Sequence, residues 1–558
     1  MEQIKITGLS FSYPNANGTG LSDMNLSVQK GDFILLFGRS GCGKSTFLKQ
    51  LKPVIAPFGK RKGSIEFCGR DINSLSHREQ STAIGFVSQN PDNQIVTDKV
   101  WHELAFGLES LGCDSQTIRL RVAEMASFFG IQDWFFKPVT ELSGGQRQIL
   151  NLASVMVMQP QVLLLDEPTS QLDPIATANF VQMLRKINEE LDVTILISEH
   201  HLEEVLPVCS RVLFMDEGRL VLDTKPREIG REMNKINSEM AAALPDCVKI
   251  FTAFCSGESP VNVKEAKQWL EANVRPRAEP ETKPVEKHPL PGGAPAVTLS
   301  DVWFRYDKKE GDIVKGVSLQ IRQGTVYSIV GGNGVGKSTL LSLIGGVNPP
   351  YRGKVKLFGQ DLFKMKPEER YRGLIGYLPQ EPQNLFRCKT VRLDLEELAA
   401  RIFPDRETAE VQLEKLSEFF HLHPLLERHP FDLSGGEQQY AAMAKVMLTN
   451  PRILLLDEPT KGIDSVFKQK LSEWLKTLKA QGKTIVLVSH DLDFCAGCSD
   501  VCALMFNGEI IAENTVRQFF TGNRFYTTPL NRIVRDVFPN CLTYEDVIPL
   551  CRENLIKG

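Results

Sequence analysis

The sequence is short of several things. No apolar run approaches the roughly 18 to 20 residues that a membrane-spanning helix needs. The opening stretch MEQIKITGLSF has no apolar segment of the signal-peptide kind. If a membrane matters to this chain, another subunit is expected to cross it. An excess of one charge is also missing. The 65 basic and 68 acidic residues leave a net charge of −3, so no global basic field draws in nucleic acid. Paired cysteine motifs are scarce among the 12 cysteines. The one cluster, Cys495, Cys498 and Cys502 in DFCAGCSDVC, has no second C-x-x-C pair and no nearby pair of histidines. It reads as small apolar residues packing around a helix and into a strand. Scattered cysteines without a signal peptide point to a reducing compartment and free thiols.

What is present begins with length. A chain of 558 residues exceeds what one core usually holds, so two or more domains are expected. Its 42% apolar and 24% charged content is that of a folded globular chain rather than a low-complexity one.

The chain repeats itself. GRSGCGKST at 38–46 matches GGNGVGKST at 331–339. In the same order, ELSGGQRQ matches DLSGGEQQ, VLLLDEPT matches ILLLDEPT, and ILISEHHLEEV matches IVLVSHDLDFC. Weaker matches continue past each core: LPDCVKIFTAF with TPLNRIVRDVF, and VNVKEAKQWL with LTYEDVIPLC. The period is too long for a solenoid and indicates a tandem domain duplication. The expected boundaries are a first core over 1–240, its C-terminal extension over 241–274, a linker over 275–295, a second core over 296–520 and its extension over 521–558. The linker, RPRAEPETKPVEKHPLPGGAP, holds six prolines and alternating charges, and should be extended and mobile. Within each core, runs such as DFILLFG, TILISEH, TVYSIVG and TIVLVSH alternate with helical patterns, which predicts buried strands of an α/β fold.

Three motifs carry chemistry, each twice. GRSGCGKST follows the strand FILLF and precedes the helical FLKQL, the context a phosphate-binding G-x-x-x-x-G-K-[ST] loop requires. Its glycines let backbone N–H groups turn toward an anion, and the helix start adds partial positive charge. Lys44 is expected to reach the β- and γ-phosphates and Ser45 to bind Mg²⁺, with Gly38, Ser40, Gly41, Gly43 and Thr46 around them. Lys337, Ser338, Gly331, Asn333, Gly334, Gly336 and Thr339 repeat the set. LLLDEP poses a problem of its own, because adjacent carboxylates at the edge of a core repel each other. A metal would remove the cost for Asp166 and Asp457, each the last residue of an oily strand. Successive side chains on an extended chain alternate faces, so Glu167 and Glu458 are expected to point elsewhere and polarise a water that attacks the γ-phosphate. Finally, LSGGQ and LSGGE fit capping boxes led by Ser143 and Ser434. Their glycines, Gly144, Gly145, Gly435 and Gly436, expose backbone N–H groups at a positive helix end and suggest a second anion site in each unit. Pairing the phosphate loop of one unit with the capped helix of the other would use every part.

With these motifs in place the chain resembles two ATP-binding-cassette (ABC) ATPase domains fused head to tail, over nearly its whole length. The resemblance implies an α/β fold of two P-loop NTPase domains, each with a small C-terminal extension, that binds and hydrolyses ATP with Mg²⁺. It implies that Tyr13 and Tyr306 stack on adenine. Gln89 and Gln380 would touch Mg²⁺ and sense the transport partner, beside the metal ligands Ser45, Asp166, Ser338 and Asp457. Asp173 and Asp464 match the loop that crosses the dimer interface, and His200 and His490 match the γ-phosphate-sensing histidine. Intramolecular pairing would sandwich ATP twice: Lys44, Asp166 and Glu167 with Ser434, and Lys337, Asp457 and Glu458 with Ser143. Neither set is visibly degenerate, so two hydrolytic sites are expected. Glu437, where the first unit has Gln146, is a departure in sequence without an obvious defect.

The variable stretch SQNPDNQIVTDKVWHELAFGLE looks like the ATPases of energy-coupling-factor importers, which take up vitamins and transition-metal ions. In those a proline–aspartate–x–glutamine segment follows the glutamine, as Pro91, Asp92 and Gln94 follow Gln89; the second unit has PQEPQNLFRCKTV and lacks that aspartate, so the two units should meet a membrane subunit differently. The implied partners are a transmembrane coupling subunit and a small substrate-binding membrane protein, with the chain peripheral on the cytoplasmic face of the membrane. The cargo is not written in this chain: fused ATPases of this kind often resemble those in thiamine-precursor uptake, and cobalt, nickel and other vitamins stay open. A tandem ABC protein acting on ribosomes is an alternative, but its interface loops typically read NHLD where this chain has SQLD and KGID. The tandem ATPase of a sugar importer fits the coupling segment less well, and intact Glu167 and Glu458 argue against a non-hydrolysing adaptor.

Overall fold

The computed structural model describes residues 1–14, 20–255, 257–275 and 290–556. Most of the expected linker, 276–289, lies outside the described residues. The chain divides into two compact units, Met1–Asn262 and Val263–Gly558.

In the first unit the oily runs form a six-stranded sheet in the order Arg219–Thr224, Arg211–Asp216, Phe33–Gly38, Thr194–Ser198, Val162–Asp166, Ile84–Val87. All neighbours are parallel except the edge pair Arg219–Thr224 and Arg211–Asp216. A parallel sheet covered on both faces explains why these strands are continuously apolar instead of alternating. Leu163, Leu164 and Leu165 are wholly buried, each worth roughly 1.5–3 kcal/mol relative to exposure. A second, antiparallel sheet runs Leu21–Gln29, Glu2–Ser12, Lys60–Phe67, Arg70–Asp71. Its inner residues, among them Ile4, Leu9 and Phe11, share one core with Phe47 and Leu48 of the helix Lys44–Gln50 and with Leu164 and Leu196 of the parallel sheet. The helices Val100–Ser110, Ser115–Phe128 and Gly144–Met156 pack on one another as a separate layer.

The second unit repeats the plan. Its six-stranded sheet runs Ile375–Leu378, Ile453–Asp457, Thr484–Val488, Val326–Val330, Val501–Phe506, Glu509–Thr515. Its four-stranded sheet runs Val314–Arg322, Pro295–Phe304, Arg352–Leu357, Gln360–Asp361. The helix Val263–Asn273, which the sequence reading assigned to the first unit's extension, belongs to this second compact unit. It packs against Pro529–Val534, Lys267 pairs with Asp536 at 2.6 Å, and Val274 bridges to Leu555.

No described helix is long and apolar enough to cross a membrane. All twelve cysteines are free, and Cys495, Cys498 and Cys502 are buried in the apolar core of the second unit. Among the described residues no His, Cys, Asp and Glu group is arranged to hold a metal by itself.

Candidate active sites

Each phosphate loop joins the end of a central strand to a helix. Gly43 and Gly336 open those helices at φ 105° and 102°, a region that side chains rarely adopt. A Cβ there would also lie 2.7 Å from the Gly20 carbonyl oxygen or 2.8 Å from that of Ile313. The backbone therefore needs glycine at both positions. Lys44 is buried and its Nζ donates to the carbonyls of Gly38 (3.0 Å) and Arg39 (3.1 Å). Lys337 does the same toward Gly331 (2.9 Å) and Gly332 (2.8 Å). Each ammonium is thus held over its own loop.

Ser45 Oγ donates to Asp166 Oδ1 at 2.9 Å, and Ser338 Oγ to Asp457 Oδ1 at 2.9 Å. Burial raises the Asp166 carboxyl above its ordinary range and the Glu167 charge adds to this, while the Ser45 and Ser198 hydroxyls oppose it. Burial likewise pushes Asp457 up to about 6. A buried carboxylate beside a hydroxyl, short of positive charge, is a hard-oxygen donor set that suits Mg²⁺.

The neighbouring glutamates are not where simple alternation puts them. Both strands stop at the aspartate, and Glu167 and Glu458 take left-handed backbone conformations at φ 46° and 48°. The chain turns there, so the expected face-switching along an extended strand is replaced by a strained turn. The turn is tied down across the sheet: Glu167 N–H donates to the Ser198 carbonyl at 3.1 Å, and Glu458 N–H to that of Val488 at 2.9 Å.

Three side chains meet the Glu167 carboxylate. His200 Nε2 lies 2.8 Å from Oε1, Gln89 Nε2 donates to Oε2 at 2.9 Å, and Lys44 Nζ is 4.0 Å from Oε1. Burial pushes the Glu167 carboxyl up, but His200 and Lys44 outweigh it and bring it down to about 2. In the second unit His490 uses its other ring nitrogen, Nδ1, at 2.8 Å from Glu458 Oε2. Its backbone N–H donates to the same oxygen at 3.3 Å. There burial raises and His490 lowers the Glu458 carboxyl, with a net fall. Gln380 makes no bond to Glu458 among the described residues, which departs from Gln89.

Tyr13 and Tyr306 each stand edge-on to a phenylalanine, Phe11 and Phe304, with centroids 5.0 Å apart. Their hydroxyls bond Thr46 Oγ1 at 2.8 Å and Thr339 Oγ1 at 3.2 Å, and both rings are exposed beside the phosphate loop. Asp173 and Asp464 are N-caps, accepting from Ala176 N and Phe467 N at 2.9 Å. Ser143 and Ser434 form complete capping boxes with Gln146 and Glu437. A Cβ on Gly144 or Gly435 would meet nothing within 4 Å, and one on Gly145 nothing closer than 3.6 Å.

Two residues were not singled out from sequence. Ser198 Oγ donates to Asp166 Oδ1 at 2.9 Å. Glu199, buried, accepts from Thr169 N at 3.0 Å and Thr169 Oγ1 at 2.8 Å. The one signal was the contrast between SEH and VSH at the same place in the repeat.

The helical layer is anchored to the loop after Gln89. Gln94 Oε1 accepts from Ser88 N at 3.0 Å and Gln94 Nε2 donates to the Phe86 carbonyl at 2.9 Å. Asp92 pairs with Arg147 of the capped helix at 2.6 Å. Buried Glu103 accepts from Val96 N (3.1 Å) and Thr97 N (2.8 Å). Asp394 does the corresponding work in the second unit, accepting from Arg387 N (2.9 Å) and Cys388 N (3.1 Å) and pairing with Lys445.

A glycine-built phosphate loop, a hydroxyl and carboxylate pair for Mg²⁺, and a separately held glutamate define a P-loop nucleoside-triphosphatase, present twice. The model of the ABC transporter family matches residues 21–170 and again 314–461. A protein of Bacillus thuringiensis subsp. konkukian (strain 97-27), provisionally named an ABC transporter ATP-binding protein, is 41% identical over 99% of both chains. A relative in Methanosarcina mazei with the same provisional name is 33% identical over 92% of this chain and 89% of its own. Among solved structures, cbiO1 from Clostridium perfringens, titled as part of the ABC transporter complex cbiONQ, is 30% identical. It covers 42% of this chain and 96% of its own at a TM-score of 0.38. The chain belongs to the ABC transporter family: it is an ATP-binding cassette ATPase with two cassettes in tandem, acting on ATP with Mg²⁺.

Proposed function

We propose that this ATPase is the membrane-peripheral motor of an energy-coupling-factor importer for a vitamin, such as a thiamine precursor, or a transition-metal ion. It works at the cytoplasmic face beneath a transmembrane coupling subunit that carries a small substrate-binding membrane protein. The observation that carries this reading is the surface built from the variable stretch after Gln89. A cavity of about 210 Å³ there is lined by Lys52, Phe86, Gln94, Val96, Glu103, Phe106 and Met158, among others. Val96 and Phe106 stay 69% and 42% exposed beside it, so an amphipathic helix from the coupling subunit would find apolar contacts there. The same loop carries Gln89, whose bond to Glu167 supplies a short path from that surface to the hydrolytic centre. Copurification tests it: a membrane coupling subunit should accompany the chain from detergent extracts, and ribosomes accompanying it instead would overturn the reading.

In this reading Glu167 and Glu458 accept the proton of the attacking water, and His200 and His490 hold them in place. Lys44 and Lys337 leave their loop carbonyls for the β- and γ-phosphates, and Tyr13 and Tyr306 offer their exposed rings to adenine. Ser45, Asp166 and Gln89, and Ser338, Asp457 and Gln380, would hold Mg²⁺, which would supply positive charge against the phosphates. A Cβ on Gly144 or Gly435 would meet nothing within 4 Å, so the first N–H groups of each capped helix are open to an anion. The composite sites proposed here rest on the motif pairing in the sequence, in which each capped helix start serves the triphosphate on the other cassette's loop.

A further inference from the structure

We infer that Glu199 is a positioning residue for hydrolysis at the first unit's site, tying the turn that carries Glu167 to the loop that carries His200. Four residues close a ring of contacts. Glu167 leads to Thr169 two residues on, Thr169 donates twice to the Glu199 carboxyl, Glu199 precedes His200, and His200 returns to Glu167. Glu199 itself is fixed from behind, since its N–H donates to the Leu36 carbonyl of the central strand at 3.1 Å. The left-handed turn itself is held in both units by the glutamate N–H bond to the adjacent strand, and in the first unit the ring adds a second tie that reaches the His200 loop.

The second unit lacks the clamp. Ser489 stands in place of Glu199, with its N–H on the Ile329 carbonyl at 3.3 Å. Its hydroxyl accepts from Asp491 N at 3.0 Å, and among the described residues it makes no bond to Thr460. Serine therefore suffices to fill the position. Burying a carboxyl close to a second carboxylate is unfavourable, which makes packing alone a poor account of Glu199. Burial pushes the Glu199 carboxyl up to about 8, with the Glu167 charge adding to it and the Thr169 hydroxyl opposing it. At neutral pH it holds its proton, and glutamine is its closest substitute. The two cassettes thus hold their glutamates differently, and only the first depends on this contact.

The inference rests on Glu167 being the base at the first site, and the test separates the two. Steady-state ATPase of the full chain is measured for Glu199→Ser, Glu199→Gln and Thr169→Val, each alone, with E458Q and with E167Q. With E458Q, Glu199→Ser should lower kcat about tenfold while KM for ATP changes by less than about twofold, the pattern of a lost orientation. Glu199→Gln should recover most of that loss. Thr169→Val should cost about threefold and add nothing to Glu199→Ser, because both cut one contact. If E458Q silences both sites together, the same ordering should appear in the otherwise unaltered chain. With E167Q none of the three should matter further. An unchanged kcat in Glu199→Ser and in Thr169→Val, with E167Q inactive at the first site, overturns the inference alone. So does a loss in Glu199→Ser that glutamine does not recover. An E167Q chain as active as its parent overturns the reading of Glu167 as well.

Discussion

Replacing Glu167 by glutamine in an E458Q chain isolates what its carboxylate contributes. His200 and Lys44 hold that carboxyl down near 2, so at neutral pH it is ionised, as the proposed role of accepting a proton from water requires. Glutamine keeps the shape, and its amide oxygen can still accept from His200, but it takes no proton. General-base help is worth typically 10² to 10⁴ in rate, or roughly 3 to 5 kcal/mol of barrier. A base this acidic in the resting protein belongs near the lower end, so kcat should fall about 10² to 10³-fold. Lys44 keeps its bonds to the Gly38 and Arg39 carbonyls and Ser45 its bond to Asp166 without the carboxylate, so ATP affinity should stay within about threefold. Phosphate release at saturating ATP gives the first number and equilibrium binding of ATP the second. A doubly substituted chain that keeps more than about a tenth of parental turnover would refute the reasoning. Loss of ATP binding in place of turnover would show that Glu167 holds the nucleotide instead.

Other outcomes follow from the same geometry. Lys44→Ala removes a buried charged donor, and ATP affinity at the first site should drop at least about tenfold in a binding titration. Leu164→Ala in the wholly buried strand should cost about 3 to 4 kcal/mol and lower the melting temperature by roughly 5 to 15 °C. Glu199 titrates near 8 when folded against an ordinary 4.5, so between those values the folded chain binds a proton that the unfolded chain does not. Stability from this group therefore falls as pH rises through that window. Glu199→Gln removes the effect, and its melting temperature should gain on the parent from pH 5 to pH 8 in calorimetry. Glu103→Ala frees Val96 N and Thr97 N, and should leave ATPase within about twofold while cutting transport in a reconstituted importer.

Much of this architecture could be read in the sequence because its signals are local. A strand, a glycine loop and a helix are contiguous in GRSGCGKST, and the apolar run before Asp166 is a buried parallel strand seen end to end. Capping boxes at Ser143 and Ser434 are likewise decided within four residues. What was not legible depends on neighbours distant in sequence. Sheet register sets Asp166 beside Ser198, so a hydroxyl from the adjacent strand reaches the first aspartate, and Val488 gives the second none. The left-handed turn at Glu167 is invisible in a DEP tripeptide because its support comes from that adjacent strand, as it does at Glu458. The division at Asn262 was equally hidden, since the helix Val263–Asn273 packs against Pro529–Val534, near the far end of the chain.

The proposed pairing of each phosphate loop with the other cassette's capped helix is tested by one activity measurement. In an E458Q chain, where Glu167 alone is left to hydrolyse, arginine is placed in turn at Ser434 and at Ser143. The account predicts that S434R abolishes the remaining phosphate release and S143R spares it. The opposite pattern, with S143R silencing the chain and S434R harmless, would contradict it.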